Sequence, residues 1–309
     1  MSLLVGFAPD GRARAVLHLA AMLARSADED LIVCAVVPAP WYPSPARVDA
    51  EYRDYLHETA QDALEQARAR LPADLRVTLL VHDARSVPAG LLGVAEQHDA
   101  ALIIVGSSSA GGAGHVTLGS TSSRLLYSSP VPVAVAPRGF RRGSDARVTS
   151  VSAAFGGSES AENLVIAAAG VAARVGATLR LVSFAVRSRP PYTSGVGTKA
   201  DEDMFTEWRA EMEAAGRAAL AKVADLPAVP QELETAIGRG ETWEDALEDI
   251  EWDDGDVLVV GSSTIGPVAR VFLGSRAAKI VRHSPVPVVV VPRGAAAELA
   301  DEAQSALVS

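Results

Sequence analysis

The stretch from Gly119 to Gly139 reads GSTSSRLLYSSPVPVAVAPRG, and the same frame returns from Gly274 to Gly294 as GSRAAKIVRHSPVPVVVVPRG. At a constant offset of 155 residues, 11 of these 21 positions are identical. Self-similarity of this kind indicates one structural unit present twice. Each copy opens with glycine and serine before an amphipathic segment and closes with a Pro-Val-Pro-Val strand, so the chain is predicted to hold two tandem domains.

Upstream of this frame, each copy alternates short apolar runs with segments of helical period, which is typical of parallel strands joined by crossover helices. The first copy is predicted to have strands at Leu3–Phe7, Leu31–Val37, Val77–Val81, Leu102–Val105 and Val133–Ala136, and helices at Arg12–Ala24, Arg53–Ala69, Ala89–Gln97 and Ser122–Tyr127. The second copy is predicted to have strands at Thr149–Ala154, Thr178–Ala185, Glu232–Ile237, Val257–Val260 and Val288–Val291, and helices at Glu159–Arg174, Asp201–Val223, Trp243–Ile250 and Arg276–Arg282. The predicted fold is therefore α/β, with two tandem Rossmann-like domains. Each is a five-stranded parallel sheet of order 3-2-1-4-5 flanked by helices.

The boundary between the copies is predicted near residue 143. The join from Phe140 to Arg147 is polar and contains glycine, as linkers usually do. The first domain would then span residues 1–142 and the second residues 143–294. The last segment, 295–309, mixes alanine, acidic residues and serine, and is expected to form a frayed helix or a C-terminal tail.

Charge and cysteine content exclude several classes of protein. With 28 basic and 38 acidic residues, the net charge of -10 argues against a nucleic-acid or anionic-membrane surface. The single cysteine, Cys34, lies in an apolar run, where a thiol behaves as a small core hydrophobe. The chain shows neither a secretory leader nor an apolar stretch long enough to span a membrane. A cytoplasmic protein is expected.

An anion site is indicated where the fourth strand of each copy ends. The strand ends in glycine, at Gly106 and Gly261, and the next helix begins at Gly119-Ser120 and Gly274-Ser275. Glycine allows close backbone approach, and the free amides of a helix N-terminus favour phosphate oxygens. The same residues also have a purely structural interpretation, in which Gly106 ends a strand and Ser120 caps its helix.

Other ligand and reaction signatures are not found in the sequence. No Walker-type phosphate loop occurs, the first strand is not followed by three spaced glycines, and no Gly-x-Ser-x-Gly elbow is present. The six histidines show no metal-ligand spacing, so no metal site is expected. No catalytic residues are predicted, and the protein is not expected to be an enzyme.

Across almost its whole length, the chain resembles the tandem form of the universal stress protein family. The family's ATP-binding signature is glycine, two residues, glycine, nine residues, then glycine with serine or threonine, and both copies match its first glycine and its last pair. The resemblance implies a stress-response protein that binds ATP, or another adenine nucleotide or phosphate ligand, in a sensing or regulatory role. Mg²⁺ would enter only with the nucleotide, and any hydrolysis of ATP would be slow and incidental. The resemblance also implies that the last strands of the two domains pack about a pseudo-twofold axis. It is compatible with a homodimer.

The resemblance assigns candidate ligand-binding residues in both copies. Val36 and Phe184 on the second strands would lie near the adenine. In the first copy the phosphate turn comprises Gly106, Ser107, Ser109, Gly119, Ser120 and Thr121. In the second copy it comprises Gly261, Ser262, Thr264, Gly274, Ser275 and Arg276.

Two departures from the family pattern support an alternative function. The middle glycine of the signature is Ser109 in one copy and Thr264 in the other, and the aspartate that follows the first strand in the family is Ala8 and Gly156. Asp10 or Ser158 would replace that aspartate only if the turn shifts. The alternative is an interaction module of the same fold, which binds no nucleotide and presents its proline-rich loops, 38–43 and 187–192, to a protein partner.

Overall fold

The computed structural model describes residues 2–8, 14–38, 46–108, 114–157, 161–186, 198–264 and 271–305. The chain divides into two compact units. The first unit comprises Met1–Arg147 with Thr264–Phe272, and the second comprises Val148–Ser263 with Leu273–Ser309.

The first unit is built on a five-stranded sheet of order β3-β2-β1-β4-β5, in which all neighbours are parallel. Its strands are β1 (Ser2–Gly6), β2 (Asp30–Pro38), β3 (Val77–Ala84), β4 (Ala100–Gly106) and β5 (Val133–Ala136). Its helices are α1 (Arg14–Ala27), α2 (Ala46–Arg70), α3 (Val87–Gln97) and α4 (Ser120–Ser128). The central strands are apolar and buried, as expected of parallel strands covered on both faces.

The second unit repeats this arrangement, with strand order β8-β7-β6-β9-β12 and parallel neighbours. Its strands are β6 (Ser150–Ala154), β7 (Thr178–Val186), β8 (Leu233–Gly240), β9 (Asp256–Gly261) and β12 (Val288–Val291). Its helices are α5 (Glu162–Val175), α6 (Thr198–Ala224), α7 (Trp243–Glu248), α8 (Ser275–His283) and α9 (Arg293–Ser305). Two short strands, β10 (Ser263–Thr264) and β11 (Val271–Phe272), lie between β9 and α8 in the chain.

The predicted order 3-2-1-4-5 is thus confirmed in both units, while several element bounds differ from the predictions. The largest difference is α2, which begins at Ala46 rather than Arg53. Its first turns contain alanine, arginine and glutamate, which favour a helix by propensity without marking an apolar face. Among the described residues, no helix is long and apolar enough to cross a membrane. The cytoplasmic location and the domain boundary near residue 143 stay predictions.

The C-terminal segment forms a regular helix, α9, and packs on α5. Ala296 and Ala300 are buried, and Gly170 of α5 lies so close to Ala303 that a Cβ on the glycine would be 2.7 Å from the Ala303 Cβ. Small residues on both helices allow this close approach. The expectation of a frayed helix or tail therefore missed a packed element, because its contact surface consists of alanine rather than bulky apolar side chains.

The single cysteine is part of the core, as predicted. Cys34 is fully buried on β2, and burial raises the pKa of its thiol to about 11. Because only the thiolate reacts readily, Cys34 should be inert in the folded protein at pH 8. We expect less than about one tenth of the chains to react with an aromatic disulfide reagent in an hour, whereas the denatured chain should react completely. Fast reaction of the native protein would contradict this burial.

Candidate functional site

The end of β4 in the first unit is fixed by the hydroxyl of Ser107. Its Oγ donates to the carbonyl of Ala136 at 2.7 Å and accepts from the amide of Thr117 at 3.1 Å. The amide of Ser108 then donates to the carbonyl of Thr117 at 2.7 Å. The chain that returns from the loop therefore lies directly beside the end of β4, next to Gly106.

The same loop is attached on its other side to the residues that follow β5. The amide of Gly114 donates to the carbonyl of Arg138 at 2.9 Å, and the amide of Arg138 donates to the carbonyl of His115 at 3.1 Å. The exit of the loop is thus held between the ends of β4 and β5. Ser109, which the sequence placed at the middle of the signature, lies outside the described residues.

Gly119, rather than Ser120, is the N-cap of α4. Its backbone is extended, with φ of -88° and ψ of -179°, and a Cβ at this position would be 3.4 Å from the Cβ of Ser108. The two ends of the signature are therefore neighbours in space. Ser120 is already helical, so the interpretation in which its hydroxyl caps the helix is wrong.

The hydroxyl that does cap the helix belongs to Ser122. Its Oγ accepts from the amide of Gly119 at 2.8 Å, which is half of a capping box, since glycine has no side chain to complete the other half. Among the described residues, the amides of Ser120 and Thr121 have no hydrogen-bond acceptor. They lie at the positive end of the helix dipole, where an anion is stabilised. Sequence reasoning missed Ser122 because glutamate or glutamine usually takes this position.

The second unit repeats this turn at the end of β9. The amide of Ser262 donates to the carbonyl of Val291 at 2.9 Å, as Ser107 does to Ala136. The Ser262 hydroxyl is buried without a hydrogen-bond partner among the described residues. Gly274 is the N-cap of α8, and no side chain caps the amides that follow it in Ser275 and Arg276. Thr264 lies in β10, and its side chain is outside the described set.

The predicted adenine-side residues lie on β2 and β7, each separated from the fourth strand of its sheet by one strand. Val36 packs on α3, where a Cβ on Gly90 would be 2.7 Å from a Val36 methyl group. The ring centroids of Phe184 and Trp243 of α7 are 6.3 Å apart. The side chains of Val36 and Phe184 are both partly exposed. The two copies therefore offer different apolar surfaces, an aliphatic one in the first unit and an aromatic one in the second.

The positions that follow the first strand of each unit carry no carboxylate. The amide of Phe7 donates to the carbonyl of Cys34 at 2.9 Å and that of Phe155 to Val182 at 2.8 Å, so the two strand ends match. Ala8 and Gly156 come next, and both are exposed. Asp10 and Ser158 lie outside the described residues.

Comparison with known proteins agrees with this geometry. The model of the universal stress protein family matches residues 1–137 and 149–292. The universal stress protein Rv2319c of Mycobacterium tuberculosis is 37% identical over 296 residues, which cover 94% of this chain and 100% of that protein. The chain belongs to the universal stress protein family. Its two matches, one after the other, make it a tandem universal stress protein, as the repeat predicted.

Solved structures support the fold of this universal stress protein. A universal stress protein from Archaeoglobus fulgidus DSM 4304 has a TM-score of 0.58 at 20% identity and covers 95% of this chain and 98% of its own. A functionally unknown protein, PA1789 of Pseudomonas aeruginosa PAO1, has a TM-score of 0.54 at 16% identity and covers 98% of this chain and 96% of its own. At these identities the likeness concerns the fold alone.

Proposed function

We propose that this universal stress protein binds an adenine nucleotide, ATP or a close relative, in a sensing or regulatory role. The observation that carries the proposal is that the amides of Ser120 and Thr121, at the N-terminus of α4 beside the end of β4, have no acceptor among the described residues. Three features act together there: the helix dipole, free donors and a glycine cap without a side chain. Phosphate oxygens are the ligands that such a terminus prefers.

In the proposed complex, each unit contributes one site, and the site of the first unit includes the hydrogen-bonded Ser107. The phosphates would contact Gly106, Ser107, Gly119, Ser120 and Thr121, with Ser109 completing the turn and the adenine near Val36. Ser107 keeps the turn in place through its two hydrogen bonds, so the site is organised before the ligand arrives.

The second unit would use the equivalent set, namely Gly261, Ser262, Thr264, Gly274, Ser275 and Arg276, with Phe184 on the adenine side. The buried Ser262 hydroxyl has no hydrogen-bond partner among the described residues, and the Arg276 side chain is exposed beside the turn. Mg²⁺ is expected only as the counter-ion of bound nucleotide. The packing of the two domains about a pseudo-twofold axis and the formation of a homodimer stay predictions.

The alternative function is a module that uses the same fold to bind a protein partner and no nucleotide. The exposed Ala8 and Gly156 favour it, since neither supplies a carboxylate for the ribose hydroxyls. Calorimetric titration with ATP, ADP and AMP separates the two functions. Saturable binding that weakens from ATP to AMP supports the nucleotide function, and no heat of binding at about 1 mM ATP would leave the protein-binding alternative.

Replacing Ser120 by aspartate should separate ligand binding from folding. A carboxylate in the first turn of α4 interacts favourably with the helix dipole, so the free energy of unfolding should stay the same or rise by about 0.3–1 kcal/mol. The same carboxylate repels phosphate at the proposed site. ATP affinity of the first unit should therefore fall by about tenfold or more, measured by calorimetry.

Gln61→Glu is the matched control, because it adds the same charge at an exposed position of α2. This variant should bind ATP as the wild type does. Equal ATP affinity in Ser120→Asp and Gln61→Glu would remove the N-terminus of α4 from the phosphate site.

A further inference from the structure

A cavity of about 340 Å³ opens in the first unit beside α1. Three segments surround it: α1, the residues at the end of α2, and the polar join after β5. None of its lining residues belongs to the phosphate turn or to the adenine-side set. Its volume lies at the lower end of the range of small-molecule pockets.

The charged lining of this cavity is entirely cationic. Arg14 comes from α1, Arg70 from the last turn of α2 and Arg142 from the join, with His18 between them. No carboxylate is among the described lining residues, although the chain as a whole carries a net charge of -10. Within the described part of the chain, Arg14 and Arg70 form no ion pair. No carboxylate of the described part of the chain therefore neutralises these two charges.

The floor of the cavity is apolar. Leu17 and Ala21 of α1 and Leu71 after α2 line it, and each of these residues is buried in the first unit. Pro72 adds a rigid apolar edge. A ligand that fits such a cavity has an apolar portion against this floor and an anionic group within reach of the guanidinium groups.

The wall formed by the join is held in place. Arg25 of α1 donates to the carbonyl of Ser144 and forms an ion pair with Asp74, with an N···O distance of 2.8 Å. Its side chain is only 11% exposed. Arg142 lies over the ring of Phe140, 4.5 Å from the ring centroid. These contacts fix the cavity before any ligand binds, which lowers the entropic cost of binding.

We propose that this cavity binds a small organic anion with an apolar portion, such as a carboxylate, sulfonate or phosphate monoester. Arginine forks match the geometry of these groups, and charge-assisted hydrogen bonds to them are stronger than neutral ones. The cavity in the second unit near Arg217 and Arg239 differs, because Glu213 and Asp249 also line it and balance part of its charge. The cavity beside α1 is distinguished by having no carboxylate among its described lining residues.

The fluorescent anion 8-anilinonaphthalene-1-sulfonate tests this proposal, because it joins an apolar ring system to a sulfonate. The wild type should bind one molecule per chain in a saturable manner, and the neutral analogue without the sulfonate should bind about tenfold more weakly. The double variant Arg14→Glu/Arg70→Glu should raise the Kd of the sulfonate by about tenfold or more. Unchanged thermal unfolding of this variant would show that the loss is local.

The matched control is Arg53→Glu/Arg174→Glu, which makes the same charge change at exposed positions outside the cavity. Its Kd should stay within about twofold of the wild type. Equal Kd values in the two double variants, or no saturable binding by the wild type, would overturn the proposal. If Arg14→Glu/Arg70→Glu fails to fold, the milder Arg14→Gln/Arg70→Gln variant gives the same comparison with a smaller expected shift.

The test is independent of the nucleotide function. Saturating ATP should not displace the sulfonate, and Ser120→Asp should bind it as the wild type does. Displacement by ATP would place the sulfonate in the nucleotide site and contradict the proposal. If the wild-type protein binds the sulfonate but no ATP, the nucleotide proposal is wrong and the cavity proposal still holds.

Discussion

Replacing Arg180 by methionine is expected to lower the free energy of unfolding of the second unit by about 3–5 kcal/mol. The Arg180 Nη2 donates to Asp256 Oδ2 at 2.7 Å, and the Asp256 side chain is only 1% exposed. Methionine would leave this carboxylate buried without its cation, which is far more costly than losing an exposed ion pair. Arg180 also donates to Ser152 and to the carbonyl of Glu251, so three segments of the unit would lose contacts.

Urea unfolding followed by tryptophan fluorescence can measure this loss, because Trp208, Trp243 and Trp252 all lie in the second unit. Arg209→Met is the matched control. Its side chain is 59% exposed and pairs with Glu213 one helical turn away, so its removal should cost about 0.5 kcal/mol or less. Similar midpoints for the two variants would show that the buried pair does not stabilise the unit.

Replacing Gly238 by alanine is expected to destabilise the second unit by about 3 kcal/mol. Gly238 lies on β8 opposite Phe184, and a Cβ there would be 1.9 Å from the carbonyl oxygen of Ala246 in α7. A backbone atom cannot move aside as the end of a side chain can. Helix α7 would have to shift away from the strand, and Phe184 and Trp243 would lose their contact.

Gly294→Ala is the control for this change, because the glycine lies in α9 with nothing within 4 Å of its Cβ position. Alanine there should be neutral or stabilise the protein by up to about 1 kcal/mol. The same urea titration reports both variants. A Gly238→Ala protein as stable as Gly294→Ala would mean that α7 does not approach β8 closely.

The architecture was predictable because its signals are local and repeated. Strands β5 and β12 have the bounds that their Pro-Val-Pro-Val frames predicted, and the parallel sheets follow from alternating strands and helices. The glycine and serine at the start of α4 and α8 likewise marked both helix starts.

The parts that were not predicted depend on contacts between distant residues. Arg180 and Asp256 are 76 residues apart, and the sequence does not show that they meet. The two copies also place their close helix–strand contact on different glycines. In the first unit Gly90 of α3 lies against Val36, whereas in the second the glycines are on the strand, at Gly238 and Gly240. Both units therefore keep a close contact between helix and strand, although the glycines that allow it lie at different positions in the two copies.

Amide NMR during an ATP titration tests whether phosphate binds at the N-terminus of α4. We expect saturable shifts of the Gly119, Ser120 and Thr121 amides, together with those of Ser107 and Ser108, while the amides of α2 stay in place. In Ser120→Asp the same shifts should need about tenfold more ATP, or more, to reach half their full size. If wild-type protein binds ATP and the amides of Ser120 and Thr121 do not shift, the phosphates lie elsewhere and the claim is wrong.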